Sequence, residues 1–406
     1  MKKEMTSLAR RIEAISDDVI AWRRELHRHP ELSHEEKRTS EWVHRILRDE
    51  IGLADIRTGV GGYGIVAEID TGRPGPAIGL RADMDALPIQ ESVPCDFASR
   101  NPGVMHACGH DAHTAMLLGA ARVLKELADG GELGGKVRFI FQPAEEALNR
   151  EGKSGGRMMV EEGVMEGLSM VAGQHVSPAI EAGKMSFQRG SITASSDSFE
   201  ITIHGQSAHG ATPQHGVDAI VISAAVVQGI QQIISRRIAP VETGLITVGT
   251  IRGGTARNII APEVELAGTI RAFDPAVRAK LIEELGQICG IADAMGGRAQ
   301  LRIIEGYPPG FNDPAMADLA EAAVREALGD GAIHPPIGPS TGAEDFAFMS
   351  RIVPGVFMRL GVKDPCWPAP LTAHKPDFQI DERSLAIGTT ALVAFAVKAL
   401  REPANA

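Results

Sequence analysis

A self-contained pattern of strands and helices in the middle of the chain restricts the fold more than any other feature. After about Ser191, the stretch "DSFEITIHG" alternates apolar and polar residues, as a half-buried strand does. An apolar helical stretch over 217–237, two strands, a helix that starts at Pro275 and a last strand, "AQLRIIEGY", complete the order. The order β-α-β-β-α-β predicts a ferredoxin-like sandwich inserted into a larger domain.

The flanking segments alternate between strands and helices. Short apolar strands are predicted at 64–70, 77–83 and 136–143, and a helix follows Asp111. This alternation is typical of an α/β sheet that is layered by helices. The predicted fold class is therefore α/β with an inserted ferredoxin-like domain.

The change in pattern also predicts the domain boundaries. Residues 1–190 and 307–406 form the two parts of the catalytic domain, and residues 191–306 form the inserted domain. Near the N-terminus, Ser33 and Glu36 have the spacing of a capping box, which predicts that a second helix begins there.

Composition limits the partners. The chain has 406 residues and a net charge of −11, and no basic patch stands out, so a nucleic-acid partner is not expected. The N-terminus lacks the apolar segment of a secretory signal, and the longest apolar run, 219–230, is too short to span a bilayer. Four cysteines without a CxxC pair predict reduced thiols. We expect a cytoplasmic protein with no membrane partner.

Several segments carry potential metal ligands at or near the predicted ends of strands, where open α/β sheets place their sites. Thiolate, imidazole and carboxylate side chains together suit zinc, and manganese is an option where carboxylates contribute. The candidates are Cys108, His110, Glu145, Glu146, His175 and His374.

The motif "ACGH" leaves three roles open for its cysteine. Residues two apart do not share a helix face, so Cys108 and His110 converge only in a turn, which Gly109 permits. The N-terminus of the following helix favours the thiolate, which binds a metal or attacks a substrate. An isolated motif of this kind more often contains a small buried cysteine and a histidine at a helix N-terminus.

Carboxylates follow two of the predicted strands. Glu145 and Glu146 are adjacent, so one can coordinate a metal while the other accepts a proton from an activated water; on a solvated loop they would be ordinary surface charges. Asp83 and Asp85 are candidates for fixing a ligating imidazole. The alternative for the two aspartates is a turn before Pro88.

Taken in order, these motifs resemble the metal-dependent aminoacylase and carboxypeptidase family of amidohydrolases, in the branch of hippurate hydrolase and the plant auxin-conjugate hydrolases. The resemblance covers nearly the whole chain and implies a zinc-peptidase-like catalytic domain with an inserted lid and dimerisation domain. The motifs that carry it are "LHRHPELSHEE", "LRADMDALPI", "VMHACGHDAHTAM", "VRFIFQPAEE", "HGATPQHGVD", "GAEDFAF" and "HKPDF".

The resemblance also implies a dinuclear metal site. Cys108 would bridge two divalent ions, zinc or manganese with cobalt as a further option. His110 and His175 would complete the protein ligands of one ion, and Glu146 and His374 those of the other.

Further roles follow from the same resemblance. Glu145 would be the general base. Asp85, also counted as a catalytic residue, would lie behind the metal ligands and hold them in place. In the inserted domain, His209 matches a histidine that stabilises the developing oxyanion, in dimeric relatives across the subunit interface. Asn258 and Arg271 match positions that contact the substrate.

The predicted function is hydrolysis of the amide bond of N-acyl amino acids by a metal-activated water with a glutamate base. The resemblance further implies a homodimer, or a dimer-based oligomer, formed through the inserted domain. Two alternatives remain: an amidase with Cys108 as nucleophile, and a non-catalytic small-molecule-binding protein with a structural metal.

Overall fold

The computed structural model describes residues 2–367, 369 and 371–401. Its α-helices are α1 (Lys2–Arg28), α2 (Lys37–Arg45), α3 (His110–Asp129), α4 (Gly155–Glu161), α5 (Ala219–Gln232), α6 (Pro275–Cys289), α7 (Ile291–Ala294), α8 (Pro314–Leu328), α9 (Phe346–Ser350) and α10 (Arg383–Ala399). Its strands are β1 (Asp55–Val60), β2 (Gly64–Asp70), β3 (Ala77–Asp83), β4 (Lys136–Gln142), β5 (Met170–Glu181), β6 (Met185–Ser186), β7 (Gly190–Thr193), β8 (Asp197–His204), β9 (Gly244–Gly253), β10 (Glu263–Ala272), β11 (Arg298–Ile304), β12 (Gly310–Asn312), β13 (Ile333–His334) and β14 (Gly355–Lys363).

The chain divides into two compact units. The second unit comprises Ser191–Gly310 and Pro339–Glu344, and the first comprises the rest of the chain. The second unit therefore covers the predicted insertion, 191–306, together with residues 307–310 and the short segment Pro339–Glu344. That segment joins the second unit because the N–H of Ala194 donates to the carbonyl oxygen of Ser340.

The first unit contains an eight-stranded sheet in the order β1-β2-β4-β3-β5-β14-β6-β13. Strands β4, β3, β5 and β14 run parallel to one another, whereas β1 and β2 are antiparallel additions at one edge and β6 is antiparallel to β14. Helices α1, α3 and α10 contact one another, and α3 and α10 also contact β3. The sheet and its helices confirm the predicted α/β class.

Helix α3 is buried along most of its length. Its small residues allow close packing: a Cβ at Gly119 would lie 2.8 Å from Cγ2 of Val19 on α1. Met116, Leu117 and Leu118 are fully buried in the same core. A helix that is apolar on most sides is stabilised by packing against its neighbours. The N-terminus of α3 therefore has a fixed position in the unit.

The second unit contains a four-stranded antiparallel sheet in the order β11-β8-β10-β9. The alternating residues Phe199, Ile201 and Ile203 of β8 are buried with Ile222 of α5 and Leu281 of α6. The order of elements along the chain confirms the predicted ferredoxin-like insertion.

The apolar helix of the second unit lies within the stretch 217–237 that the sequence predicts to be helical. It runs over Ala219–Arg237 because a π-helical turn extends α5, and by length and composition alone it could cross a membrane. Ile222, Val226 and Ile230 of this helix are buried in the core of the unit. Packing against the sheet accounts for the apolar residues on this face, whereas Ile220 and Val221 near the start of the helix are exposed.

The predicted capping box is wrong. Helix α2 begins at Lys37, and Glu36 occupies the N-cap position without a side-chain hydrogen bond to the helix. Instead, the Ser33 hydroxyl donates to Oδ2 of Asp85 at 2.7 Å, and Oε1 of Glu36 accepts the N–H of Ala144 at 2.7 Å. Both side chains form tertiary hydrogen bonds that local spacing does not reveal.

Candidate metal centre

Cys108 lies in a tight turn directly before α3. Gly109 has a φ of +90°, and a Cβ at this position would lie 2.5 Å from Cγ2 of Val176 on β5. Only glycine fits both the left-handed backbone and this contact. The turn therefore brings the Cys108 thiol against β5, and α3 begins at His110.

The structure brings the predicted ligands together in two groups of three. In the first group, one potential ligand atom from each of Cys108, His110 and His175 lies within 4.8 Å of the others. In the second group, the same holds for Cys108, Glu146 and His374. Cys108 is common to both of these groups, so its sulfur lies within 4.8 Å of potential ligand atoms on either side.

The imidazoles are oriented by their Nδ1 atoms. Nδ1 of His110 lies 3.1 Å from Oδ1 of Asp85, and Nδ1 of His175 donates to the carbonyl oxygen of Val176 at 2.7 Å. These contacts favour the tautomer that leaves the Nε2 lone pair available to a metal. Nε2 of His175 lies 3.4 Å from Sγ of Cys108.

The donor set fits a divalent cation. Nε2 of His110 is buried and has no hydrogen-bond partner in the described part of the chain, although it lies 3.9 Å from Oε1 of Glu146. A buried nitrogen without a partner is costly, and a metal would satisfy it. Sulfur, imidazole and carboxylate donors within this distance suit a borderline ion such as zinc.

Burial has opposite effects on the pKa values of Cys108 and His175, which contact each other. It raises the pKa of the Cys108 thiol to about 12. It also lowers the pKa of His175 well below the usual value, with the nearby His113 acting in the same direction. The protein alone thus keeps both groups neutral at neutral pH, and coordination to a metal would ionise the thiol.

The segment after β4 carries both carboxylates. A carboxylate oxygen of Glu145 lies within 4.8 Å of potential ligand atoms of His110 and Glu146. Glu145 is 7% exposed, and its Oε1 accepts the N–H of Asp345 at 3.4 Å. A second carboxylate therefore lies beside the proposed ligands, in a position to exchange a proton with a reacting group.

His374 reaches the centre from a loop far along the chain. Its N–H donates to the carbonyl oxygen of Ala107 at 2.8 Å, next to the cysteine turn. Its φ is +64°, which is uncommon for a residue other than glycine. Its Nε2 lies 3.1 Å from Oε1 of Glu146, and this contact raises the pKa of the imidazole.

Asp85 connects several parts of the centre. Besides contacting His110, its Oδ2 accepts the N–H of Glu146 at 2.9 Å and the hydroxyl of Ser33. Asp85 thus contacts the His110 imidazole and the backbone of Glu146 at the same time.

Sequence reasoning missed the role of His113. Nδ1 of His113 lies 2.6 Å from Oδ1 of Asp83, and Nε2 accepts the N–H of Val176 at 3.0 Å. Both nitrogens are used, so His113 links β3 to β5 rather than offering a lone pair. Asp83 consequently fixes this histidine and receives a hydrogen bond from Arg81, and it lies 3.7 Å from Nε2 of His110. The signal in the sequence was the spacing of His113 from His110, three residues apart on one helix face.

The positions of three more predicted site residues are also visible in the structure. His175 is inside β5, where it pairs with Arg359 of β14, rather than at the end of a strand. In the second unit, His209 and Asn258 are both exposed. Their loops are adjacent, and the N–H of Gly210 donates to the carbonyl oxygen of Asn258.

Arg271 lies near the end of β10 in the second unit. Its Nη1 donates to the carbonyl oxygen of Ser195 at 3.3 Å. The side chain is partly exposed.

The sequence profile of peptidase family M20/M25/M40 matches residues 79–398. The chain belongs to this family. The resemblance recognised in the sequence is therefore confirmed, and the M20 chain is a metal-dependent hydrolase from a family with dinuclear metal-binding members.

Three similar proteins illustrate the range of this M20 family. The N-acyl-L-amino acid amidohydrolase of Geobacillus stearothermophilus is 41% identical over 330 residues, which cover 80% of this chain and 86% of the relative. The N-acetyl-L-cysteine deacetylase of Bacillus subtilis (strain 168) is 38% identical over 376 residues, covering 92% and 86%. The crystal structure of the Bacillus subtilis YXEP protein, described as a dinuclear metal binding peptidase, has a TM-score of 0.82 and 32% identity, covering 96% of this chain and 99% of that one.

Proposed function

We propose that this M20 enzyme hydrolyses the amide bond of N-acyl amino acids to a carboxylic acid and a free amino acid. The observation that carries the proposal is the position of Cys108 in both groups of ligand atoms, with Glu145 beside them. The similar proteins named as an amidohydrolase and a deacetylase of N-acylated amino acids support the substrate class.

The proposed ligand assignment follows the two groups. His110 and His175 would hold one ion, Glu146 and His374 would hold the other, and Cys108 would contribute to both. When bound, the ions supply Lewis acidity and a nucleophile at neutral pH, since such ions lower the pKa of water to about 7.

The remaining steps belong to side chains of this chain. Glu145 accepts the proton of the attacking water and then donates it to the leaving amino nitrogen, so the amide is exchanged for an acid and an amine. Asp85 keeps its hydrogen bonds to His110 and to the N–H of Glu146, which prevents these two ligands from turning away. From the second unit, His209 would stabilise the developing oxyanion.

Asn258 and Arg271 are proposed to bind the substrate. A guanidinium forms paired hydrogen bonds with a carboxylate, and every N-acyl amino acid carries a carboxylate. Among the described residues, the Arg271 guanidinium makes one hydrogen bond, to a backbone carbonyl, and it is partly exposed, so donors remain for a ligand.

A cysteine-nucleophile amidase is the second candidate, because Nε2 of His175 lies 3.4 Å from Sγ of Cys108. That mechanism needs a thiolate beside an imidazolium. Burial disfavours both charged forms here, since it raises the pKa of Cys108 to about 12 and lowers that of His175. The metal-dependent mechanism requires neither an unassisted thiolate nor a charged imidazole.

Metal removal distinguishes the proposal from its alternatives. We expect protein treated with a chelator to lose hydrolysis of a panel of N-acetyl, benzoyl and indolyl amino acids, and to regain it with manganese, zinc or cobalt. Metal analysis of the same samples should give two ions per chain. Activity that survives chelation would indicate the cysteine mechanism, and binding without hydrolysis in the presence of metal would indicate a non-catalytic protein.

We also propose that two copies associate through the second unit. Strand β9 pairs with β10 on one side, and the described residues place no strand on its other side. Ile251 of β9 is 58% exposed, and Ile220 and Val221 at the start of α5 are about as exposed. A long apolar edge strand favours pairing with another strand, and a second copy offers one.

A charged substitution tests this association. We expect Ile251→Lys to convert a dimer, measured by light scattering, into a monomer, because pairing would place like charges close together. Val241→Lys is the matched control, since Val241 is 94% exposed in the turn before β9. A wild-type protein that is monomeric at micromolar concentration would contradict the proposal.

A further inference from the structure

Residues 33–36, which connect α1 to α2, make tertiary contacts that the proposed reaction leaves unused. Oε1 of Glu36 accepts the N–H of Ala144 at 2.7 Å. Ser33 donates to Asp85, which also holds the N–H of a proposed ligand. This connection therefore contacts the segment that carries the catalytic carboxylates.

Burial of the Glu36 carboxyl at this position is energetically unfavourable. It has no exposed surface, and its Oε2 has no hydrogen-bond partner among the residues that the structure describes. Burial, together with the nearby Asp85, raises the pKa of its carboxyl to about 8. A buried carboxyl with one bonded oxygen contributes little to stability, so its presence calls for another explanation.

The residue that Glu36 holds has a strained backbone. Ala144 has a φ of +46°, and its carbonyl oxygen accepts the N–H of Gly155 at 2.9 Å. A left-handed alanine persists only where its surroundings fix it, and such residues cluster at functional sites. Glu145 and Glu146 follow immediately, so the backbone angles of Ala144 set the direction in which both carboxylates leave the strand.

We propose that Glu36 is a positioning residue for Glu145: its carboxyl fixes the N–H of Ala144 and thereby holds the turn that directs Glu145 toward the metal ligands. The following residue, Glu146, is held separately by Asp85. Loss of the Glu36 contact is therefore expected to misdirect the base more than the ligand. The proposed role of Glu145 underlies this inference, whereas the contact between Glu36 and Ala144 does not depend on it.

Two substitutions at Glu36 and one at its neighbour form the test. Glu36→Ala removes the acceptor, whereas Glu36→Gln keeps an uncharged acceptor of the same shape. Glu35→Ala removes a carboxylate from an exposed position and serves as the control. If Glu36→Ala does not fold, Glu36→Asp replaces it, because the shorter side chain withdraws the acceptor from Ala144.

The first measurement is independent of activity. In hydrogen exchange followed by mass spectrometry, the amide of Ala144 is expected to exchange about 10-fold faster in Glu36→Ala, because one buried hydrogen bond is lost. Glu36→Gln and Glu35→Ala are expected to keep the wild-type rate. An unchanged rate in Glu36→Ala would overturn the proposal.

The second measurement separates positioning from a general loss of stability. At saturating metal, Glu36→Ala is expected to lower kcat by about 10-fold or more with little change in KM, and Glu36→Gln is expected to restore it. A wild-type kcat in Glu36→Ala, or equal losses in both variants, would overturn the positioning role. If the wild-type protein hydrolyses no N-acyl amino acid, the proposed function fails, and hydrogen exchange still decides whether Glu36 holds this turn.

Discussion

Glu145→Gln is expected to lower kcat by about 100-fold or more, the size of a lost general base. The amide has the shape of the carboxylate, so it can still accept the N–H of Asp345, as Oε1 of Glu145 does at 3.4 Å. It cannot accept a proton from water, so chemistry slows while metal binding is kept. Steady-state kinetics on the best substrate of the panel, combined with metal analysis, checks both parts.

Glu146→Gln is the matched comparison for this variant. The two carboxylates are adjacent in the sequence, but Glu146 belongs to the ligand group with Cys108 and His374. We expect Glu146→Gln to lose metal and activity together. Loss of metal in Glu145→Gln, with retention in Glu146→Gln, would reverse the two assignments.

Cys108→Ser is expected to have the largest effect on metal binding. Removal of a residue that only supports a ligand costs about 10- to 100-fold in affinity, so removal of a bridging ligand should cost at least about 100-fold. A serine hydroxyl is not ionised at neutral pH and is a poor substitute for a thiolate. Competition with a chromogenic chelator would measure the affinity, and the same samples would be assayed for hydrolysis.

The control for this variant is Cys95→Ser. Cys95 is a partly buried thiol of the same unit and lies in none of the ligand groups found among the described residues. The Cys95→Ser variant should therefore keep both ions and full activity. If Cys108→Ser retained its metal and lost only activity, the cysteine nucleophile would become the better mechanism, and an acyl adduct on the wild-type thiol should then be detectable by mass spectrometry.

The sequence was sufficient where a local pattern determines the structure. The glycine between Cys108 and His110 predicted a turn, and the structure shows a left-handed glycine that packs on β5. The alternation of Phe199, Ile201 and Ile203 predicted a half-buried strand, and β8 has these residues in the core. In both cases the physical requirement is met by residues close together in the sequence.

The sequence was insufficient where distant segments compete for the same side chain. Ser33 and Glu36 have the spacing of a helix cap, but Asp85 and Ala144 bind them instead. The role of His113 was not apparent because its two partners, Asp83 and Val176, lie on different strands. Such assignments depend on the order of strands in the sheet, which local periodicity does not determine.

The position of β14 in the first unit has a consequence for biosynthesis. This strand lies between β5 and β6, yet it comes late in the chain, after the whole inserted unit. A nascent chain that ends before Gly355 would expose the edge of β5, the strand that carries His175. Such intermediates offer an open apolar edge to other chains. We therefore expect the inserted unit to fold before the catalytic unit during translation, because the catalytic sheet is completed only after β14 has been synthesised.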